Sequence, residues 1–313
     1  MSTTITISIP TDEQGYLGRE CPECHRYFKV MLGTGLTDPT PCFCAYCGHQ
    51  AAADEFLTQD QLEFAKSAAL RYAHGELFKM LKRYEGPIGR QDRFIKMSLK
   101  VTPGSSPAAF RYRERDLESQ LTCAGCTLQY TIFGVFAYCP DCGQHNSEQI
   151  LNNNLNVVEK MLAVSELQEP ELKQHIIEDA LENSVSAFDG FGREFMRILR
   201  SRRGLSDGSD SFQNIARARE RLVNEYAVDV AMTLSAEEWG SCTRSFQKRH
   251  VLAHSMGVVD AAYVSATDDS SAVVGHKIKI GKSEVAQLVA TLRKLARSMV
   301  EQLDQPSSLR SKD

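Results

Sequence analysis

The sequence predicts a mainly α-helical protein, with a helical bundle in the C-terminal half and two small β units in the N-terminal half. Three observations support this fold class. Nine of the ten cysteines fall in two clusters before residue 145, and helical spacing of apolar residues dominates after residue 150. The 313 residues are enough for two or three compact units.

The composition limits the classes of protein to which this chain can belong. An apolar fraction of 42% and a net charge of −4 are typical of a soluble globular protein and argue against a basic, nonspecific nucleic-acid coat. No stretch reaches the roughly 20 apolar residues that a membrane helix needs. The first residues, MSTTITISIPTDEQ, lack the features of a secretion signal, so we expect a cytoplasmic protein with reduced thiols.

The first cysteine cluster contains two C-x-x-C pairs, Cys21 with Cys24 and Cys44 with Cys47. Two thiols at this spacing converge on one ion, and two pairs complete the tetrahedral shell of Zn²⁺. In a reducing compartment the pattern predicts metal ligands rather than disulfides. Cys42 is an additional thiol, which either replaces Cys44 as a ligand or is unused.

The second cluster also contains two C-x-x-C pairs: Cys123, Cys126, Cys139 and Cys142. The spacer TLQYTIFGVFAY alternates like a β-hairpin with Gly134 at its bend. Both clusters resemble zinc ribbons, the second over residues 119–148. Four thiolates close each coordination shell, so we expect two structural zinc ions and no open catalytic position.

The sequence leaves the roles of several histidine and aromatic residues near the cysteine clusters open. Three histidines are either further metal ligands or, as four cysteines per cluster favour, polar neighbours: His25, His49 and His145. Four aromatic residues of the second cluster either stack on nucleic-acid bases or, as we favour, form a small core. They are Tyr130, Phe133, Phe136 and Tyr138.

The predicted organisation has six segments. They are an N-terminal segment (1–15), a first zinc ribbon (16–55), a connecting helix with a strand and loop (56–118), a second zinc ribbon (119–148), a linker helix (149–164) and a helical domain (165–313). Within them, residues 58–84 predict an amphipathic helix and residues 95–102 a strand.

The C-terminal half predicts four or five helices. Residues 172–199 carry one apolar stripe, residues 202–211 form a loop, and a further helix spans about 212–230. Ser235 and Glu238 form a capping box that starts the next helix, which we expect to end at Gly257. The sequence KIKI (277–280) alternates like a short strand, and a last helix starts at Ser283.

Residues 249–254, RHVLAH, concentrate polar groups near the end of that capped helix. Helical geometry places His250 and His254 on one face, with Arg249 on the adjacent surface. Arginine offers a planar fork to phosphate oxygens, and histidine exchanges protons near neutrality. A helix C-terminus also attracts basic residues through its dipole alone, so the short pattern by itself leaves both interpretations open.

The surrounding sequence favours the chemical interpretation. FQKRHVLAHSMGVVDAAYV and the earlier SAFDGFGREF resemble the HEPN family of helical domains over roughly residues 165–305. Members carry an R-x(4–6)-H motif with Asn, Asp or His after the arginine, and Arg249, His250 and His254 match these positions. The resemblance implies a metal-independent endoribonuclease, acting as a homodimer whose two motifs face one another.

The resemblance also implies a role for each residue. His254 is general acid or base, Arg249 stabilises the charge of the transition state, and His250 orients the phosphate. The products carry 2′,3′-cyclic phosphate and 5′-hydroxyl ends, and DNA is not cut. The leading hypothesis is a zinc-ribbon ribonuclease, toxin-like or acting in defence. The alternative is a non-catalytic module that binds RNA, nucleotide or a regulatory protein.

A run of arginines lies near this unit. These arginines either bind the phosphates along a nucleic-acid backbone or form the solvated faces of two helices. They are Arg193, Arg197, Arg200, Arg202, Arg203, Arg217, Arg219 and Arg221.

Overall fold

A computed structural model describes residues 5–35, 41–88, 97–102, 104–105, 107–110, 112–206, 208–267 and 269–304. The chain forms two compact units, one up to His145 and one from Asn146 onward. The first unit contains small antiparallel sheets and one long helix, and the second is helical. Among the described residues, no helix is both long enough and apolar enough to cross a lipid bilayer.

The first unit brings one C-x-x-C turn of each cysteine cluster into a single sheet. Its strands are β1 (Tyr16–Glu20), β2 (Tyr27–Met31), β3 (Cys42–Phe43), β4 (Gln50–Ala51), β5 (Gly86–Ile88), β6 (Met97–Leu99), β7 (Ser119–Thr122) and β8 (Gln129–Ile132). Strands β1, β2, β8 and β7 form a four-stranded antiparallel sheet in that order, and β3–β4 and β5–β6 form separate pairs. Because β2 pairs with β8, the two clusters share a sheet and one buried core.

Two of the four C-x-x-C turns are also hairpin turns of the four-stranded sheet. The Cys21–Cys24 turn joins β1 to β2, and the Cys123–Cys126 turn joins β7 to β8. The hairpin expected inside the spacer of the second cluster is therefore wrong, because β8 pairs with β7 and β2. The strand expected over 95–102 is described only at β6, and residues 95–96 lie outside the described part.

Helix α1 (Gln59–Lys82) confirms the predicted connecting helix. A capping box between Thr58 and Gln61 starts it. Gln61 is fully buried, and its side-chain amide donates to the Gly18 carbonyl (2.8 Å). The apolar residues farther along the helix remain exposed, with Leu77 55% and Met80 56% accessible.

The second unit contains α2 (Ser147–Ser165), α3 (Pro170–Arg202), α4 (Ile215–Tyr226), α5 (Ala236–Ser255), α6 (Ala261–Ala266) and α7 (Lys282–Asp304). The predicted long helix, the loop after it, the Ser235/Glu238 capping box and the last helix are all present. Helix α2, expected as a linker, packs along α3 and α7 within this unit. The KIKI segment forms a single bridge, between Lys277 and Val258, rather than a strand.

Aromatic packing joins α3, α5 and the loop before α4. Phe188 lies edge-on to Phe212 (6.1 Å between ring centroids) and to Phe246 (6.2 Å). Gly192 lies one turn further along α3, where a Cβ atom would come within 2.3 Å of the Phe212 ring. Only glycine therefore allows Phe212 to pack against α3.

Replacing either of two glycines of α3 by alanine should have opposite effects on the free energy of unfolding. Gly192→Ala forces Phe212 from its site and should lower the free energy of unfolding by about 1–3 kcal/mol. Gly190→Ala meets no atom within 4 Å and should raise it by about 0.5–1 kcal/mol through helix propensity. Urea unfolding of both variants measures the difference, and equal effects would contradict the close approach of Phe212 to Gly192.

Candidate functional site

Each cysteine cluster brings four sulfur atoms together. The four Sγ atoms of each group lie within 4.8 Å of one another: Cys21, Cys24, Cys44 and Cys47 in the first group, and Cys123, Cys126, Cys139 and Cys142 in the second. The closest pairs in the first group are 3.6 and 3.7 Å apart, and those in the second are 3.4 and 3.6 Å apart. A tetrahedron of thiolates about 2.3 Å from a central ion has edges of about 3.8 Å, so both groups fit a metal ion.

All four C-x-x-C turns share one backbone pattern. The first cysteine of each turn donates its N–H to the carbonyl five residues later, and its own carbonyl accepts from the residue four later. That fourth residue has a left-handed backbone in every case: His25, Gly48, Thr127 and Gly143, with φ between 55° and 72°. Backbone N–H groups also lie near the sulfurs, as from Gly125 to Cys123 (3.4 Å).

Burial raises the pKa of four of these eight thiols, Cys44, Cys47, Cys126 and Cys139. Burial raises the pKa of Cys126 to about 12 and that of Cys47 to about 11. Metal binding must therefore release thiol protons, and affinity for the ion rises with pH. Four thiolates leave no position open for substrate or water, so these groups suit a structural role.

Residues beside the clusters take other positions. Cys42 lies on β3, paired with Ala51, and does not belong to either group of four. Neither group contains a histidine, and His25 is exposed. Of the four aromatic residues of the second cluster, Tyr130 is in the core whereas Phe133 is 46% exposed.

The RHVLAH segment forms the C-terminal end of α5. Arg249 is half-buried, and His250 and His254 are exposed. The two imidazole rings lie 4.5 Å apart, centroid to centroid. The helix ends at Ser255, so His254 occupies its last turn. Met256, rather than Gly257, is the first left-handed residue after the helix.

Neighbouring polar residues hold this end of α5. Buried Lys248 donates to the Glu284 carboxylate (2.8 Å) and to the Lys279 carbonyl (2.9 Å), which fixes the inner side of the helix. Arg249 donates from Nη1 to the side chain of Gln213 (3.3 Å). Gln213 was not among the predicted site residues, because it lies 36 positions earlier in the chain.

The basic run between Arg193 and Arg221 is mostly neutralised within the chain. Five of its eight arginines pair with carboxylates, and Arg202 and Arg203 donate to backbone carbonyls. These contacts favour solvated helix faces with internal partners over a free phosphate-binding track.

Comparison with known proteins assigns no family to the chain. No family model, no curated protein and no solved structure matches it. Function is therefore inferred from the residues and their geometry alone.

The cysteine groups predict the metal content of the chain. The wild type should carry two ions, Cys139→Ala should carry one, and Cys42→Ala should retain two, because Cys42 lies outside both groups. Elemental analysis of the purified variants measures this. Loss of an ion from Cys42→Ala, or fewer than two in the wild type, would contradict the ligand sets.

Proposed function

We propose that the chain is an endoribonuclease of the HEPN type, which cleaves RNA by attack of a ribose 2′-hydroxyl on the adjacent phosphate. The observation that carries the proposal is the RHVLAH segment. Two exposed imidazoles lie 4.5 Å apart and Arg249 is the residue before the first of them, at the end of a helix whose other side is anchored by Lys248. Proton exchange and stabilisation of phosphate charge are what this reaction requires.

Each residue has a role in the proposed step. The 2′-oxygen forms a bond to phosphorus while the bond from phosphorus to the 5′-oxygen breaks. His254 removes the 2′-hydroxyl proton or supplies one to the departing oxygen, and Arg249 stabilises the negative charge of the transition state. His250 orients the phosphate. The ends formed are a 2′,3′-cyclic phosphate and a 5′-hydroxyl, with no metal ion taking part.

The active form in this proposal is a homodimer, in which one copy of the triplet supplies the acid and the other the base. Exposed apolar residues beside the triplet support such an interface. They are Met256, Val258, Val264, Val273 and Val274. The strip from 257 to 259 is hydrogen-bonded to residues 275–278, so most of these side chains belong to one local surface.

The first unit has a supporting part in this proposal. We assign Zn²⁺ to both cysteine groups, because thiolate tetrahedra of this size suit an ion without redox chemistry. Reduced thiols are consistent with a cytoplasmic protein. The ribbon unit would recognise RNA, a regulatory protein or a trigger, as expected of a toxin-like or defence enzyme.

A second candidate is a non-catalytic module that binds a protein partner. The observation in its favour is the exposed apolar side of α1. Its accessible side chains include Leu70, Leu77, Met80 and Leu81, and Tyr84 is exposed just after the helix ends. In that case the RHVLAH segment would be a basic helix end and no RNA would be cut.

The proposal predicts that His254→Ala lowers the cleavage rate by roughly 100-fold or more, because it removes a proton-transfer group. Labelled RNA is incubated with the purified protein in EDTA, and the metal content of the protein is checked afterwards. His175→Ala is the matched control, since His175 is an exposed histidine on α3 of the same unit.

Cleavage by wild type and by the His175 variant, absent from the His254 variant, supports the enzyme. Binding of RNA or protein without cleavage by any form would favour the second candidate. Cleavage that requires an added divalent ion would contradict the proposed chemistry.

A further inference from the structure

The side chain of Arg249 is held by a residue outside the RHVLAH segment. Its Nη1 donates to the Gln213 side-chain oxygen at 3.3 Å. Its Nε is buried and, within the described ranges, has no hydrogen-bond partner. Gln213 is thus the hydrogen-bonding neighbour that fixes which edge of the guanidinium remains available.

Gln213 is itself placed by a short chain of hydrogen bonds. Its backbone N–H donates to the Ser211 hydroxyl (3.3 Å), and that hydroxyl donates to the Asp189 carboxylate (3.2 Å). The Phe212 N–H donates to the same carboxylate oxygen (2.5 Å). Asp189 is only 6% exposed, so these bonds form where water competes weakly.

The DGFG motif on α3 (residues 189–192) therefore positions the loop before α4. Asp189 binds the backbone of the 211–213 segment, and Gly192 leaves room for the Phe212 ring. Arg193 completes the shell of the Asp189 carboxylate (2.9 Å). The neighbouring Asp210 is fixed by Arg200 (3.0 Å) and Arg221 (3.3 Å). These contacts hold residues 210–212, the three residues that directly precede Gln213.

We infer that Gln213 is a positioning residue that orients Arg249 for the scissile phosphate, an inference that rests on the proposed ribonuclease function. A free arginine side chain samples many rotamers, and a single hydrogen bond from a clamped loop removes much of that freedom. With Nε buried and one Nη1 N–H bound to Gln213, the two N–H groups of Nη2 and the second N–H of Nη1 are left to contact the phosphate. Asp189 and Gly192 affect Arg249 only indirectly, because they position the loop that carries Gln213.

The test measures kcat and KM for RNA cleavage by Gln213→Ala. The control variant is Gln287→Ala, because Gln287 is an exposed glutamine on α7. Gln213 is exposed, so its removal should leave the folded structure intact. For Gln213→Ala we expect kcat to fall roughly tenfold to 100-fold with KM little changed. The reason is that the substitution misplaces the Arg249 guanidinium, which acts on the transition state. Gln213→Glu should also lower kcat, since a carboxylate neutralises the guanidinium.

A second readout reports on Arg249 without RNA. The Arg249 Nε–Hε resonance, assigned by its loss in Arg249→Lys, should become more mobile in Gln213→Ala and stay unchanged in Gln287→Ala. Absence of cleavage by wild type would overturn the proposed function and this role with it. Wild-type cleavage with unchanged kcat in Gln213→Ala, or a lower kcat with an unchanged Arg249 resonance, would overturn the positioning role alone.

Discussion

The packing of Phe188 against Phe212 and Phe246 determines where the end of α5 lies in the second unit. Phe246 is on α5 and Phe212 precedes α4, so one side chain of α3 locates both elements. The three rings are almost fully buried, and aromatic pairs of this geometry contribute beyond their buried area. The exposed face of RHVLAH depends on this buried contact, because Arg249 follows Phe246 by less than one helical turn.

The first unit depends on a different constraint, which is coordination geometry. Four turns with the same backbone pattern present eight sulfurs in two groups, and one turn of each group connects neighbouring strands of the shared sheet. Folding of the sheet and assembly of the ligand sets are therefore one process. An ion bound by each group would add stability to the small aromatic core around Phe28 and Phe56.

Local signals in the sequence predicted much of this structure. The Ser235/Glu238 capping box and the α3 stripe depend on residues three to seven positions apart, and both are present. The pairing of β2 with β8 joins residues about 100 positions apart, which no periodicity reveals. The spacer hairpin was wrong because alternation identifies a strand but not its partner.

In the candidate site too, the local sequence predicts some features, whereas others depend on contacts between distant residues. The cysteine spacing predicted both groups of four, while the choice of Cys44 over Cys42 required the β3–β4 pairing. The clustering of His250 and His254 follows from helical geometry alone. The contact from Gln213 does not, since it depends on how Asp189 and Gly192 dock a loop.

The central claim is that this helix end breaks RNA through the ribose 2′-hydroxyl, with protein side chains as the only acid and base. Mass spectrometry of the cleaved ends tests it most directly. The claim predicts 2′,3′-cyclic phosphate and 5′-hydroxyl ends from the wild-type protein in chelator. Ends carrying a 3′-hydroxyl and a 5′-phosphate, as produced when metal-activated water attacks, would contradict it.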